Sequence, residues 1–163
     1  MIRVIKVDSE LDIQMVRELL LEYGKIRDFD IALGDYDKEL KELPGEYSLP
    51  TGLLLLAFYN DYPAGCVALR KIDDKVCEMK RLYVKPKYRD YKIGKALVLE
   101  IIKEAYQMAY KLMRLDTHPW MKDAELLYKS MGFKEINAYH FNPIEGIKYF
   151  ELSLDRLGAI GIT

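Results

Sequence analysis

The first third of the chain predicts one strand and two helices. Residues 2–7 alternate apolar and polar side chains, as a half-buried strand does. Asp8 or Ser9 can cap the helix that follows, because a short polar side chain satisfies a free N–H group at a helix start. Apolar residues at spacings of three and four predict the buried face of this helix: Val16, Leu19, Leu20 and Tyr23. A second, short helix is expected near 36–43.

The middle of the chain predicts three strands joined by tight turns. Apolar runs cover 53–59, 64–70 and 76–84. The turns between them contain Asn60-Asp61 and Asp73-Asp74, which are typical turn residues. Short strands separated by such turns form an antiparallel meander.

The last part of the chain predicts alternating helices and strands. A broad apolar face indicates a long helix over 93–110, and a strand follows over 112–116. A further helix is expected over 122–131, ended by Gly132, before a last strand over 147–154. The long helix connects two strands as a crossover, which places them in parallel. The predicted fold class is α/β (α+β), with a mixed central sheet of about six to seven strands and flanking helices.

Length and composition indicate a single globular domain. With 163 residues, the chain predicts one domain over 1–154 and a C-terminal tail over 155–163. Its 25 basic and 26 acidic residues give a formal net charge of −1, which argues against broad nucleic-acid binding. The longest apolar run, 53–58, is far too short to cross a membrane, and the N-terminal residues lack the apolar core of a signal peptide. We therefore expect a cytoplasmic protein that binds neither nucleic acid nor a membrane.

The two cysteines predict buried, reduced thiols. Cys66 and Cys77 each lie in an apolar, strand-like run, and no secretory signal precedes them. Two cysteines and two histidines at no useful spacing do not make a zinc site, so we expect no bound metal.

A basic turn before the long helix predicts a binding site for a phosphorylated ligand. Pro86 ends the preceding strand, because proline cannot donate to a sheet ladder. Free N–H groups and the helix dipole then favour an anion at the start of the long helix. Arg89, Lys92 and Lys95 add positive charge there, and Gly94 lets a phosphate approach the backbone closely.

The same run resembles the coenzyme-A-binding motif of the GNAT family of N-acetyltransferases, Arg/Gln-x-x-Gly-x-Gly/Ala. Arg89 and Gly94 match its first and last positions, and Ala96 is the small residue that commonly follows. Lys92 stands where the first glycine is expected; if that position requires a positive φ, a lysine costs about 1 kcal/mol or more there. The run from Leu127 to Phe133 matches a later family signature, Leu-Tyr-x-x-x-Gly-Phe.

This resemblance implies that acetyl-CoA is the acyl donor. We call the basic turn before the long helix the phosphate loop. In the family, the strand before this loop splays from its neighbour, and the free backbone groups of that strand bind the pantetheine arm. In this chain that strand ends at Leu82, Tyr83 and Val84. The residues then expected to bind the phosphates are Arg89, Asp90, Lys92, Ile93, Gly94, Lys95 and Ala96.

The resemblance also implies two catalytic residues. Tyr128 occupies the family's common general-acid position, and a phenol with a free pKa of about 10 can return a proton to a thiolate. Glu78 is the candidate base on the predicted central strand. Burial would raise the pKa of its carboxyl and make it a better base, whereas pairing with Lys80 or Arg81 would make it a structural ion pair.

Other positions receive smaller roles. His118 is expected in a loop near the pocket and His140 at the surface or the pocket rim. Met121 stands where the family often has an asparagine that contacts coenzyme A, so that contact is expected to be absent. In the family, the N-terminal helix–loop region forms the acceptor pocket, and this region contains Arg27, Phe29, Asp30 and Tyr36.

We therefore expect an N-acetyltransferase that moves an acetyl group from acetyl-CoA directly to the amine of a small molecule. The alternative is a non-catalytic module that senses acyl-CoA or binds a partner; Lys92 and Met121 favour it, and Tyr128 and Glu78 disfavour it. A Rossmann-like nucleotide domain is disfavoured, because no Gly-x-Gly-x-x-Gly follows the first strand and the meander precedes the crossover. Dimers are common in the family, so a homodimer is expected.

Overall fold

A seven-stranded mixed sheet organises the protein, whose computed structural model describes residues 1–26, 35–142 and 144–156. The strands are β1 (Ile2–Lys6), β2 (Leu53–Tyr59), β3 (Tyr62–Lys71), β4 (Val76–Val84), β5 (Leu112–Thr117), β6 (Lys134–Ile136) and β7 (Lys148–Ser153). The helices are α1 (Glu10–Ile26), α2 (Tyr36–Lys41), α3 (Ile93–Gln107) and α4 (Lys122–Ser130). The strand order across the sheet is β1-β2-β3-β4-β5-β7-β6.

The pairing of the strands confirms the predicted topology. Strands β2, β3 and β4 form an antiparallel meander, and β1 adds to its edge. Strand β5 follows α3 and pairs with β4 in parallel, as the crossover predicts. Strand β6 was not expected; it has three residues, too few for an alternating pattern to be visible in the sequence.

Helices cover both faces of the sheet, and each covered face has its own hydrophobic core. Because side chains alternate along β2, Leu55 faces the core that α3 covers, and Leu56 faces the core that α1 covers. The predicted stripe of α1, from Val16 to Tyr23, is buried in this second core. Cys66 and Cys77 are both buried and unpaired, as predicted, and burial raises the pKa of Cys66 to about 12.

The ends of the helices follow local sequence signals. Ser9 caps α1, since its hydroxyl oxygen accepts a hydrogen bond of 3.1 Å from the N–H group of Asp12. Gly132 ends the turn after α4 with a φ of +99°, a conformation that suits glycine. The Tyr36 hydroxyl donates to the carbonyl of Leu20 and so fastens α2 to α1.

Two predicted regions lie partly outside the described residues. These are the tail, of which residues 154–156 form a short 3-10 helix and 157–163 are not described, and the acceptor-side positions Arg27, Phe29 and Asp30. Among the helices of the described ranges, none is long and apolar enough to cross a bilayer.

Candidate active site

Strands β4 and β5 separate halfway along their length. Their parallel pairing starts at Val76 with Leu112 and ends at Glu78 with Arg114. Beyond that point β4 continues to pair with β3, while β5 pairs with β7. The β3–β4 register shifts in this stretch, and Arg81 takes a φ of +61°, which marks a bulge in β4. The splayed strand that the resemblance implies is therefore present, and it leaves a gap in the sheet.

The turn between β4 and α3 has a strained residue where the motif expects glycine. Pro86–Tyr91 form a short 3-10 helix, and Lys92 follows with φ +63° and ψ 25° before α3 begins. This left-handed conformation costs a residue with a Cβ atom about 1 kcal/mol or more. The position of the first motif glycine thus has a positive φ, and Lys92 adopts this conformation despite its free-energy cost.

A cavity of about 610 Å³ lies between the end of β4, the start of α3 and the start of α4. It is lined by seven of the residues predicted to bind the cofactor: Leu82, Tyr83, Val84, Arg89, Lys92, Gly94 and Lys95. Three further predicted residues are not among its lining residues. Of these, Ile93 is fully buried in the core, Asp90 is exposed, and Ala96 lies one turn into α3.

The opposite wall of this cavity was anticipated from the sequence only at Met121, the position where the family often has an asparagine that contacts coenzyme A. It is formed by Tyr23 of α1 and by residues at the start of α4, among them Trp120, Lys122 and Asp123. Trp120, the sole tryptophan of the chain, is about half exposed and stacks on His118 at a centroid distance of 4.9 Å. The sole tryptophan of the chain, directly after Pro119, was the sequence signal that could have identified this wall.

A second, small cavity of about 40 Å³ occupies the gap between β4 and β5. Its walls include Tyr128, His118 and Asp116, and it shares Leu82 and Met121 with the large cavity. Tyr128 is almost fully buried, with its ring near Phe133 and Phe150. The gap thus brings the candidate acid beside the inner end of the large cavity.

Glu78 lies outside both cavities in a network of hydrogen bonds. One carboxylate oxygen accepts a bond of 2.6 Å from Arg70 Nε, and the other accepts a bond of 2.6 Å from the hydroxyl of Tyr139. Lys80 stays 4.0 Å away, and Arg81 pairs elsewhere. Burial pushes the pKa of Glu78 upward, but Lys80, Tyr139 and Arg70 together hold it below the usual glutamate range. The expected rise in pKa is wrong, and the geometry favours the structural ion pair.

His140 is partly exposed and contacts the end of β5. Its Nε2 atom lies 3.0 Å from Oδ2 of Asp116, and its Nδ1 atom lies 3.1 Å from the carbonyl oxygen of Phe141. The rings of Tyr139 and Tyr149 stand edge-on to the imidazole. The sequence gives no signal for this pair, because its members are 24 positions apart.

The model of the acetyltransferase (GNAT) family matches residues 13–133, most of the chain. The protein belongs to the GNAT family. An uncharacterized N-acetyltransferase of Schizosaccharomyces pombe is 37% identical over 159 residues, which cover 95% of each chain.

Two solved structures are similar to this protein over nearly its whole length. An acetyltransferase from Streptococcus agalactiae has a TM-score of 0.77 at 21% identity, over 93% of this chain and 98% of that one. A PaiA N-acetyltransferase from Thermoplasma acidophilum, solved in complex with coenzyme A, has a TM-score of 0.73 at 26% identity, over 94% and 99% of the two chains. This GNAT protein is accordingly an acetyl-CoA-dependent N-acyltransferase, and the enzyme interpretation is confirmed.

The large cavity of this GNAT enzyme fits a coenzyme A donor. Arg89, Lys92 and Lys95 stand on one side of it, at the helix start where N–H groups lack intrahelical partners. Lys122 adds a fourth cation from the opposite wall, and Asp123 is the one carboxylate among the lining residues. Arg89 also donates a bond of 3.0 Å to the carbonyl of Val84, which ties the phosphate loop to the strand end. Positive charge at the outer end and apolar strand residues at the inner end suit a phosphorylated, elongated ligand.

Proposed function

We propose that this enzyme transfers the acetyl group of acetyl-CoA directly to the amine of a small molecule. The observation that carries the proposal is the junction of the two cavities at Leu82 and Met121. A donor held in the large cavity would present its thioester to the gap, and an amine would meet it there from the side of α1.

The phosphate loop supplies the binding energy for the donor in this proposal. The cations of Arg89, Lys92 and Lys95 pair with the negatively charged phosphates. The first N–H groups of α3 donate hydrogen bonds to the phosphate oxygens. The backbone of Leu82, beyond the last pairing with β5, remains for the pantetheine amides, while the carbonyl of Val84 already accepts a bond from Arg89. The bound acetyl-CoA supplies an activated acyl carbon at a thioester.

Tyr128 is the proposed general acid. It lines the gap beside Leu82, where the leaving sulfur would stand, and its burial excludes bulk water from the phenol. A phenol can protonate a leaving thiolate because the two groups have pKa values in neighbouring ranges.

The size of the gap supports a small acceptor. A space of about 40 Å³ admits an amino group and its first carbon, and Tyr23 and Arg81 bound it on the side of α1 and α2. A narrow entry of this kind suits the end of a slender molecule. A peptide N-terminus is the competing acceptor.

Calorimetry and a screen of acceptors test the proposal in order. Acetyl-CoA should bind with micromolar affinity, and dephospho-coenzyme A and adenosine diphosphate should bind more weakly. The protein is then incubated with acetyl-CoA and a panel of primary amines, and release of free thiol and acetylated product is measured. Thiol release with at least one small amine supports the proposal. Acetylation of a peptide N-terminus alone would contradict the small-molecule acceptor, and no binding of acetyl-CoA would contradict the site.

The homodimer and the cytoplasmic location stay predictions. The two buried, unpaired thiols are consistent with a reducing compartment. Size-exclusion chromatography with light scattering measures the oligomeric state directly.

A further inference from the structure

The carboxylates near the gap differ in whether an arginine pairs with them. Glu78 and Glu39 each accept hydrogen bonds of 2.6–2.8 Å from an arginine. Asp116 instead faces His140, a titratable group, at 3.0 Å. No lysine or arginine lies within 4.0 Å of the Asp116 carboxylate in the part of the chain that the structure describes. Its charge is therefore available to a cationic ligand.

Asp116 also stands at the reacting end of the site. It is the second-last residue of β5, and it lines the small cavity with Tyr128 and Leu82. About a fifth of its side chain is exposed, so a ligand in the gap can reach it.

The position of His140 suits a proton acceptor behind Asp116. The carbonyl of Phe141 can only accept, so Nδ1 carries the hydrogen in that contact, and Nε2 faces the Asp116 carboxylate, where it can take a proton that arrives there. Glu78 Oε2 lies 3.9 Å from Nε2, while Tyr139 of the same segment and Tyr149 of β7 present neutral rings. About a third of the side chain is exposed, which gives a proton on the ring a route to water.

We propose that Asp116 and His140 bind the acceptor as an ammonium ion and remove its proton, an inference that rests on the proposed function. The substrate class is primary alkylamines, which are cations at neutral pH. An N–H bond of the ammonium breaks, and its proton passes through Asp116 to Nε2 of His140. Asp116 contacts the substrate, and His140 is a positioning residue that acts through it.

Tyr128 completes the transfer of protons and the exchange of bonds in this proposal. The electron pair left on nitrogen forms the new bond to the acetyl carbon as the carbon–sulfur bond breaks. The sulfur takes the proton of the Tyr128 phenol, and the second proton of the nitrogen restores that phenol. One proton thus reaches sulfur, and one leaves through His140 to water.

A metal ion is the competing occupant of the same cluster. Donor atoms of Glu78, Asp116 and His140 lie within 4.8 Å of one another. Both oxygens of Glu78, however, already accept hydrogen bonds, one of them from the cationic Arg70. A metal would have to displace these donors beside a permanent positive charge, so the geometry favours the ammonium ion.

Two size-matched amines separate proton removal from a structural role. Ethylamine is protonated at pH 7, whereas 2,2,2-trifluoroethylamine is largely neutral there because its fluorines withdraw electrons. Asp116→Asn should lower kcat/KM for ethylamine by roughly 10²-fold or more and should affect trifluoroethylamine much less. Equal losses with both amines, or no loss with either, would overturn the proposal. Asp155→Asn, in an exposed ion pair with Lys111, is the matched control and should change neither value.

The pH dependence and metal dependence give independent readouts on the best amine of the panel. In the wild type, kcat/KM should rise with pH through one ionisation, and His140→Gln should remove that step; an unchanged profile would contradict the role of His140. Asp116→Glu should recover part of the lost activity.

Loss of wild-type turnover in EDTA, restored by Zn²⁺, would show a metal site in place of the proposed ammonium site. If Asp116→Asn still binds acetyl-CoA with wild-type affinity, misfolding is excluded. A wild type that acetylates no amine at all overturns the proposed function instead.

Discussion

Arg81 donates two hydrogen bonds of 2.8 Å to the carboxylate of Glu39, which joins the bulge of β4 to helix α2. The guanidinium also lies over the ring of Tyr36 at 5.2 Å. Burial lowers the pKa of the Arg81 guanidinium, but its hydrogen bonds to Glu39 and its electrostatic interactions with Tyr47, Glu39 and Tyr23 together outweigh burial and raise it. Because Arg81 lines the small cavity, this pair joins helix α2 to the wall of that cavity.

Breaking this pair should destabilise the protein. Glu39→Gln leaves the charge of Arg81 buried without its carboxylate and should lower the free energy of unfolding by about 2 kcal/mol. This is below the value for a fully buried pair, since a quarter of the Glu39 side chain is exposed. Urea denaturation at pH 7 measures the change. Asp74→Asn removes a charge from the exposed pair with Lys71 and should leave the stability nearly unchanged. Equal effects of the two substitutions would contradict a special role for the Arg81 pair.

Removing the phenol of Tyr128 should affect turnover and not donor binding. Tyr128→Phe should lower kcat by roughly 10²-fold or more while the Kd for acetyl-CoA stays close to the wild-type value. Steady-state kinetics and calorimetry measure the two quantities. Tyr110→Phe removes another buried hydroxyl, which donates to the carbonyl of Thr51 away from the cavities, and should keep kcat. An unchanged kcat in Tyr128→Phe would remove this residue from the mechanism.

Replacing Lys92 should separate backbone strain from charge. Lys92→Gly relieves the left-handed strain, and the greater freedom of glycine in the unfolded chain offsets part of the gain, so stability should stay equal or rise slightly. The Kd for acetyl-CoA should increase about fivefold, as expected for an exposed charge contact of about 1 kcal/mol. Lys92→Asn tolerates the same backbone and also removes the charge, so it should weaken binding equally. Tighter binding by Lys92→Gly would show that the lysine obstructs the phosphates.

Glu78 should control acid stability more than the pH–rate profile. The pKa of Glu78 is lowered in the folded state, so its contribution is present above the unfolded pKa of about 4.3 and is lost as pH falls through the folded value. The wild type should therefore lose stability on acidification below about pH 4, and Glu78→Gln should be less stable at pH 7 with a flatter dependence. Urea denaturation between neutral and acidic pH measures both curves. If Glu78→Gln instead removes the ionisation from the kcat/KM profile, Glu78 is the base after all.

Local signals determined most of the elements of this fold. The apolar run along 53–59 and the stripe of α1 depend on residues close in sequence, and the structure has both elements where the patterns place them. The phosphate loop was predicted from the same kind of signal, because Arg89, Lys92 and Gly94 lie close together in sequence at one helix start. The short strand β6 has no such local pattern and was missed.

Only the tertiary structure decided the partners of the charged residues. The sequence offered Lys80 and Arg81 to Glu78 because they are neighbours, whereas sheet register places Arg70 beside it and a distant loop brings Tyr139, which is 61 positions away. Asp116 and His140 meet in the same way, across 24 positions. The pKa of a buried carboxyl depends on which charges and donors surround it, and those are set by strand pairing. For this reason the sequence determined the family and the acyl donor, while the tertiary structure decided that Glu78 pairs with Arg70 and that Asp116 faces His140.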